Sequence, residues 1–143
     1  MRFYLFDKIT EIKYEEYAKG VKCVSLSDDI LNEHFPYNPL FPGTMTIESL
    51  AQLSGIHFNL SFINKGIDKI FPILIKVDKM KFTGLIKPGD RMDLYAEIES
   101  FEAEFGRANV HAMVDDKKVA SGKIMFAFHK LEDKRLIEIR NDH

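Results

Sequence analysis

The chain has 143 residues, of which 45% are apolar and 29% are charged, and its formal net charge is −2. These values are typical of one soluble globular domain, and we expect residues 1–143 to form it. The slight negative charge argues against nucleic-acid binding, which needs positive charge to neutralise phosphates. No segment approaches the ~20 apolar residues of a membrane-spanning helix, and the N-terminus lacks the apolar core of a signal peptide. Because Cys23 is the single cysteine, no intramolecular disulfide can form, so we expect a cytoplasmic protein.

The first part of the chain carries weak signals for regular structure. Residues 3–9 mix aromatic and aliphatic side chains and indicate a short strand or helix. Residues 21–26 predict a strand with imperfect alternation, and we expect Cys23 to be buried in it. A loop follows that contains three prolines, Pro36, Pro39 and Pro42, and proline this dense holds a backbone in a few extended conformations.

The segment from Thr44 to Ile63 predicts one long helix. It contains no proline, and its apolar residues cover most of the helical surface, which is typical of a buried helix. Gly43 or Thr44 can serve as N-cap, and residues 64–66 are a plausible C-terminal stop. The residues that recur at helical spacing are Met45, Leu50, Leu53, Ile56, Leu60 and Ile63.

The rest of the chain predicts strands. Residues 70–82, 91–101, 105–114 and 119–128 are strand-like, and tight turn sequences join the last three, which indicates an antiparallel meander. Residues 130–143 are strongly charged, and we expect a frayed tail there. A helix that is apolar on most faces must be enclosed by other elements, and a sheet with one apolar face must bury that face. We therefore expect an α+β fold in which a sheet curves around the helix.

Four residues around the proline-rich loop form the candidate site. Histidine exchanges a proton near neutral pH, and His34 is held in a stiff loop. Glu48 lies about one turn into the apolar helix, where a carboxyl group tends to stay protonated and can donate a proton. Gly43 lets a ligand approach the backbone, and its N–H at the helix N-terminus can stabilise an oxyanion. Gln52 follows Glu48 by four residues, so it can hold that carboxyl group.

The segment from His34 to Gln52 reads HFPxxPxxPGxxxIExxAQ and resembles the signature of bacterial 3-hydroxyacyl-(acyl carrier protein) dehydratases. The resemblance extends to YLFDKI at residues 4–9, to VDKMKF and KPGD at residues 77–82 and 87–90, and to ASGKIMFA at residues 120–127. It therefore covers nearly the whole chain, and the spacing from His34 to Glu48 matches the family's spacing.

The resemblance implies a hotdog fold, in which an antiparallel sheet wraps a long helix. It implies a homodimer, or a trimer of such dimers, with His34 of one subunit facing Glu48 of the other. The expected reaction removes water from a 3-hydroxyacyl thioester to give a trans-2-enoyl thioester in fatty-acid or polyketide synthesis. His34 would take the C2 proton, Glu48 would assist departure of the hydroxyl, and the Gly43 N–H would polarise the carbonyl. The partner would be an acyl carrier protein with a phosphopantetheine-linked chain, and no metal or redox cofactor is implied.

The sequence departs from the family pattern at four positions. Tyr37 and Glu33 stand where glycines are usual, Thr44 replaces an apolar residue, and Thr83 replaces a basic one. No catalytic group is lost, so the departures indicate a divergent member.

Two other classes of function remain open at this point, namely another enzyme on the same fold and a non-catalytic protein. A hotdog thioesterase needs a carboxylate to aim water but not the His34 loop, so the presence of His34 favours dehydration. A non-catalytic acyl-thioester binder or sensor could keep the fold and lose the chemistry, but both His34 and Glu48 are present. A related isomerising dehydratase carries aspartate in place of the glutamate, so Glu48 argues mildly against that reaction.

Residues outside the signature are better explained by structure. We expect His57 to pack in the core or an interface, and His111 and His129 to lie on strands. Residues 76–91 hold five basic residues against two acidic ones and could steer an acidic carrier protein. A solvated sheet edge protected by lysines explains this run equally well.

Overall fold

The computed structural model describes residues 5–32 and 34–130. Strands and helices follow in the order β1 (Lys8–Lys13), β2 (Tyr17–Cys23), a 3₁₀ helix (Asp29–Leu31), α1 (Gly43–Asn64), β3 (Ile70–Phe82), β4 (Arg91–Phe101), β5 (Phe105–Val114) and β6 (Lys117–Lys130). All pairings are antiparallel, and the strands form one curved sheet in the order β1-β2-β4-β5-β6-β3. The predicted α+β class and the β4-β5-β6 meander are confirmed. Within the described residues, no helix combines the length and apolarity needed to cross a membrane.

The N-terminal part of the fold differs from the prediction. A β1–β2 hairpin turns at residues 14–16, where Glu15 has a φ of 64°. Strand β2 ends at Cys23 rather than continuing to residue 26, and Cys23 is exposed, so its predicted burial is wrong. The prediction of a frayed tail is wrong for its first residue, because Lys130 is the last residue of β6 and pairs with Ile70. Residues 1–4 and 131–143 lie outside the described part of the chain.

Helix α1 begins one residue before its predicted start. Its N-cap is Pro42, not Gly43 or Thr44, because the extended Pro42 (φ −61°, ψ 139°) presents its carbonyl to the amides of Met45 and Thr46. The predicted stop is confirmed, since Asn64 ends the helix and Gly66 adopts a φ of 80°.

The concave face of the sheet holds the helix, which packs against β2 through β6. The predicted burial is right for Leu50 and Leu53 and wrong for Ile56 and Ile63, which are exposed. Five polar side chains of the helix are buried instead, and they are Thr46, Ser49, Ser54, His57 and Ser61. The serines fit because short hydroxyls bond to nearby backbone: Ser49 and Ser54 donate to the carbonyls four residues earlier, and Ser61 accepts from the Glu15 amide.

Strand β3 forms one edge of the sheet and exposes apolar side chains. Its thirteen residues are mostly exposed. The large apolar side chains exposed along it are Phe71, Ile73, Leu74, Ile75, Val77 and Phe82. A long apolar edge strand is unusual in a monomer, because it invites pairing with another strand.

We expect Gly106→Ala to lower the free energy of unfolding by about 1–3 kcal/mol, the usual cost of overpacking. A Cβ at Gly106 would lie 2.5 Å from Cζ of Phe128 and 2.7 Å from Cε1 of Phe58. Gly55→Ala is the matched control, because its Cβ would meet Phe126 at an ordinary 3.6 Å and alanine favours a helix. Urea unfolding should show a loss for Gly106→Ala and a gain of about 0.5–1 kcal/mol for Gly55→Ala. Equal stability of the two variants would contradict the packing at Gly106.

His57 should make the stability depend on pH. Burial lowers the pKa of His57, and because a carbonyl can only accept, its Nε2–H must donate to the Lys13 carbonyl at 2.9 Å. The unfolded chain therefore binds a proton at higher pH than the folded one, so stability falls as pH drops through the unfolded pKa of about 6.5. We expect the urea midpoint of the wild type to fall more between about pH 7.5 and 5.5 than that of His57→Gln. Parallel pH profiles for the two proteins would contradict this role of His57.

Candidate active site

The His34 side chain is fixed by the loop that carries it. Its Nδ1 lies 2.9 Å from the Leu40 carbonyl oxygen, and the Leu40 amide donates back to the His34 carbonyl at 2.8 Å. Because a carbonyl oxygen can only accept, Nδ1 must carry the proton of this bond. In the neutral ring the lone pair is then on Nε2. The half-buried imidazole also stacks on Phe35, with ring centroids 4.3 Å apart.

Gly43 lies where this loop meets the helix. An added Cβ would come within 3.0 Å of the Phe82 ring, so a larger residue would displace that ring. Gly43 is the first helical residue, so its N–H has no carbonyl acceptor within the helix. Pro42 offers no side-chain cap, so the positive end of the helix dipole is open at this point.

Glu48 and Gln52 are neighbours on one face of the helix. The Gln52 Nε2 donates to Glu48 Oε1 at 3.1 Å, and the Gln52 Oε1 accepts from the Leu5 amide at 2.8 Å. The second contact orients the amide, so that its NH₂ group points to the carboxylate. The predicted link from Gln52 to Glu48 is confirmed.

Among the residues that the structure describes, no hydrogen bond or ion pair joins His34 to Glu48. His34 is held by its own loop, and Glu48 by its own helix. Each is therefore positioned independently.

The remaining predicted residues lie outside this site. His111 and His129 lie on β5 and β6, as predicted, and His57 is buried. Within residues 5–32 and 34–130, no three histidine, cysteine, aspartate or glutamate side chains are grouped so that they could hold a metal ion. Three of the residues that depart from the family pattern, Tyr37, Thr44 and Thr83, are exposed, and the Thr83 hydroxyl donates to the Lys118 carbonyl at 2.7 Å. Glu33 is outside the described residues.

Three contacts of the site could not be found from the sequence. They are the Leu40 carbonyl that binds His34, the Leu5 amide that binds Gln52, and the Phe82 ring against Gly43. Two are backbone groups, which carry no residue-specific signal. The third depends on how β3 passes the start of the helix.

Two solved structures resemble the fold closely. A dehydratase heterocomplex, ApeI:P, from Xenorhabdus doucetiae gives a TM-score of 0.73 at 16% identity, covering 96% of this chain and 89% of its own. A hot-dog-like protein from Thermanaerovibrio acidaminovorans gives a TM-score of 0.70 at 16% identity, covering 89% and 92%. Together with the helix and its wrapped sheet, these likenesses define a hotdog-fold protein.

Sequence relatives narrow the class to a family. The FabA-like domain model matches residues 1–123. The 3-hydroxyacyl-[acyl-carrier-protein] dehydratase FabZ of Caldicellulosiruptor bescii is 34% identical over 87% of this chain and 87% of its own. The FabZ of Acetivibrio thermocellus is 37% identical over 87% and 84%. The chain belongs to the FabA-like family and groups within it with the FabZ dehydratases.

Proposed function

We propose that this protein dehydrates 3-hydroxyacyl thioesters on acyl carrier protein to trans-2-enoyl thioesters, in fatty-acid or polyketide-type synthesis in the cytoplasm. The FabZ relatives are named for this substrate, and their similarity covers 87% of the chain. His34, Glu48, Gly43 and Gln52 are the residues to which we assign the chemistry.

The observation that carries the proposal is the hydrogen bond of His34 Nδ1 to the Leu40 carbonyl. It leaves Nε2 as the basic nitrogen. A histidine in this tautomer can take the C2 proton of a bound thioester, and that proton later passes through water to Glu48 and restores its carboxylic acid.

Removal of the C2 proton is easier if the thioester carbonyl is polarised. The Gly43 N–H lies at the open N-terminus of a 22-residue helix, where the partial positive charge favours an oxyanion. In the second half of the reaction, Glu48 gives a proton to the departing C3 hydroxyl, directly or through water, while Gln52 keeps its carboxyl group in place.

We place the functional Glu48 on the partner subunit of a homodimer. The apolar side chains exposed on β3, and Ile56 and Ile63 exposed on the helix, support this assembly, since so much exposed apolar surface is unusual in a monomer. Pairing of two such edges would bring the helix of one subunit towards the His34 loop of the other. A trimer of these dimers is the larger assembly that we propose.

The test is to follow absorbance of the enoyl thioester with purified protein and 3-hydroxyacyl thioesters on carrier protein and on coenzyme A. We expect enoyl product with no release of free thiol. Thiol release without enoyl product would indicate a thioesterase, and bound but unreacted thioester would indicate an acyl-binding protein. Either result would overturn the proposal.

A further inference from the structure

A groove lined mainly by charged and polar residue types lies on the outer face of the sheet, opposite the helix. It has a volume of about 560 Å³, within the usual range for small-molecule sites. Its floor consists of side chains that alternate with the buried core residues of β4, β5 and β6, including Tyr95, His111 and Ser121. The groove is thus separated from His34 and Glu48 by the sheet itself.

The charge of the groove is positive although the chain has a net charge of −2. Lys79, Lys81, Lys118 and Lys123 line it, against the single carboxylate of Glu97. Lys123 is paired with Glu99 at 3.0 Å, which lies outside the lining. Across residues 5–32 and 34–130, the other three lysines make no ion pair.

On one side, the groove is lined by a β-bulge in β3. The pairing of β3 with β6 shifts register between Asp78 and Lys81, and Lys79 adopts a φ of 53°. Bulges of this kind re-aim side chains and are common next to functional sites. The bulge rests on Gly122, where a Cβ would lie only 2.9 Å from Cα of Met80, so glycine is needed for this approach.

The opposite side of the groove carries two stacked rings. Tyr95 and His111 lie 4.8 Å apart, centroid to centroid. Burial and the nearby Lys118 ammonium lower the pKa of His111, and Glu97 opposes this change. A bound anion would offset the lowering of this pKa by Lys118. The pKa of His111 should therefore rise when an anion occupies the groove.

We propose that this groove is a second binding site, which takes a phosphate-bearing small molecule with its phosphate between Lys79, Lys81 and Lys118. Lysine ammonium groups bind phosphate as point charges, and three that make no ion pair within the described residues, against the one carboxylate of Glu97, favour an anion with several negative charges. Tyr95 and His111 offer a ring surface to the remainder of the ligand. Edge pairing through β3 would extend the sheet sideways and leave this outer face open, so the site is compatible with the proposed dimer.

The test is a titration of the full-length protein with inorganic pyrophosphate at constant ionic strength, followed by NMR of the histidine ring protons. The charged and titratable groups that line the groove with His111 are Tyr95 and Glu97 from β4, Lys118 and Lys123 from β6, and Lys79 and Lys81 from β3. We expect saturable shifts at His111 and a rise of its pKa on saturation, because the added anion stabilises the imidazolium.

The variant Lys81→Gln/Lys118→Gln should weaken pyrophosphate binding at least about tenfold, since it removes two charge-assisted contacts. Lys8→Gln/Lys69→Gln is the matched control, because it removes two exposed lysines outside the groove and should bind like the wild type. Absence of saturable shifts in the wild type, or an equal loss in the control, would overturn the proposal. The titration contains no thioester, so its result is independent of the dehydratase proposal.

Discussion

Replacement of His34 by alanine is expected to lower kcat for dehydration at least ~100-fold, the lower scale for general acid–base catalysis. The Leu40 carbonyl holds the ring in the tautomer whose Nε2 is basic, so removal of the imidazole takes away the proposed proton acceptor for C2. Initial rates of enoyl formation on a saturating 3-hydroxyacyl thioester measure the effect.

His129→Ala is the control for this variant, because His129 is exposed on β6 and lies outside the proposed site. It should retain the activity of the wild type. Unchanged urea midpoints would show that both variants fold. A folded His34→Ala protein with wild-type kcat would remove His34 from the mechanism.

Glu48→Gln should lower kcat by a similar factor, ~100-fold or more, because the amide keeps the shape of the side chain but cannot donate a carboxylic proton to the hydroxyl. KM should change little, since glutamine has nearly the same size and shape as glutamate. Single-turnover measurements, in which substrate binding and chemistry are separated, would locate the loss in the chemical step.

Glu102→Gln is the matched control for Glu48→Gln, because Glu102 is exposed in the turn between β4 and β5. Gln52→Ala should cost less, about tenfold, since it removes one hydrogen bond to the Glu48 carboxyl group and leaves that group in place. A larger loss for Gln52→Ala than for Glu48→Gln would contradict the assigned roles.

The parts of the fold with regular periodicity could be predicted from the sequence. The alternation of Met92, Leu94 and Ala96 marks β4, and the proline-free run after Gly43 marks the helix. The turn at Asp115 and Asp116 could also be predicted, because two consecutive residues with positive φ suit aspartate.

Other parts depend on tertiary contacts that leave no periodic signal. The β1–β2 hairpin has a polar outer face, and its turn is held by the Ser61 hydroxyl and by Lys65, both at the far end of the helix. The exposure of Ile56 and Ile63 could not be predicted from the sequence. An apolar residue at helical spacing gives the same pattern whether it packs against its own sheet or is exposed in the single chain.

The candidate site could be predicted as a set of residues but not as a geometry. The spacing from Glu48 to Gln52 predicts a contact on one helix face, and the structure has it. The hydrogen-bond partner of His34 is a backbone carbonyl, which every residue has, so the sequence does not predict it. The outer groove was missed for a related reason, since its lysines come from β3 and β6 and meet only through strand pairing.

The most direct test of the shared site is to mix His34→Ala and Glu48→Gln proteins after dissociation and reassociation. A mixed dimer places an intact His34 opposite an intact Glu48 at one of its two sites, so random mixing should restore about a quarter of the wild-type activity. Mass spectrometry of the intact dimers confirms that mixed dimers have formed. Recovery from two inactive proteins would establish that His34 and Glu48 act across the subunit boundary. Mixed dimers as inactive as their parents would contradict this account.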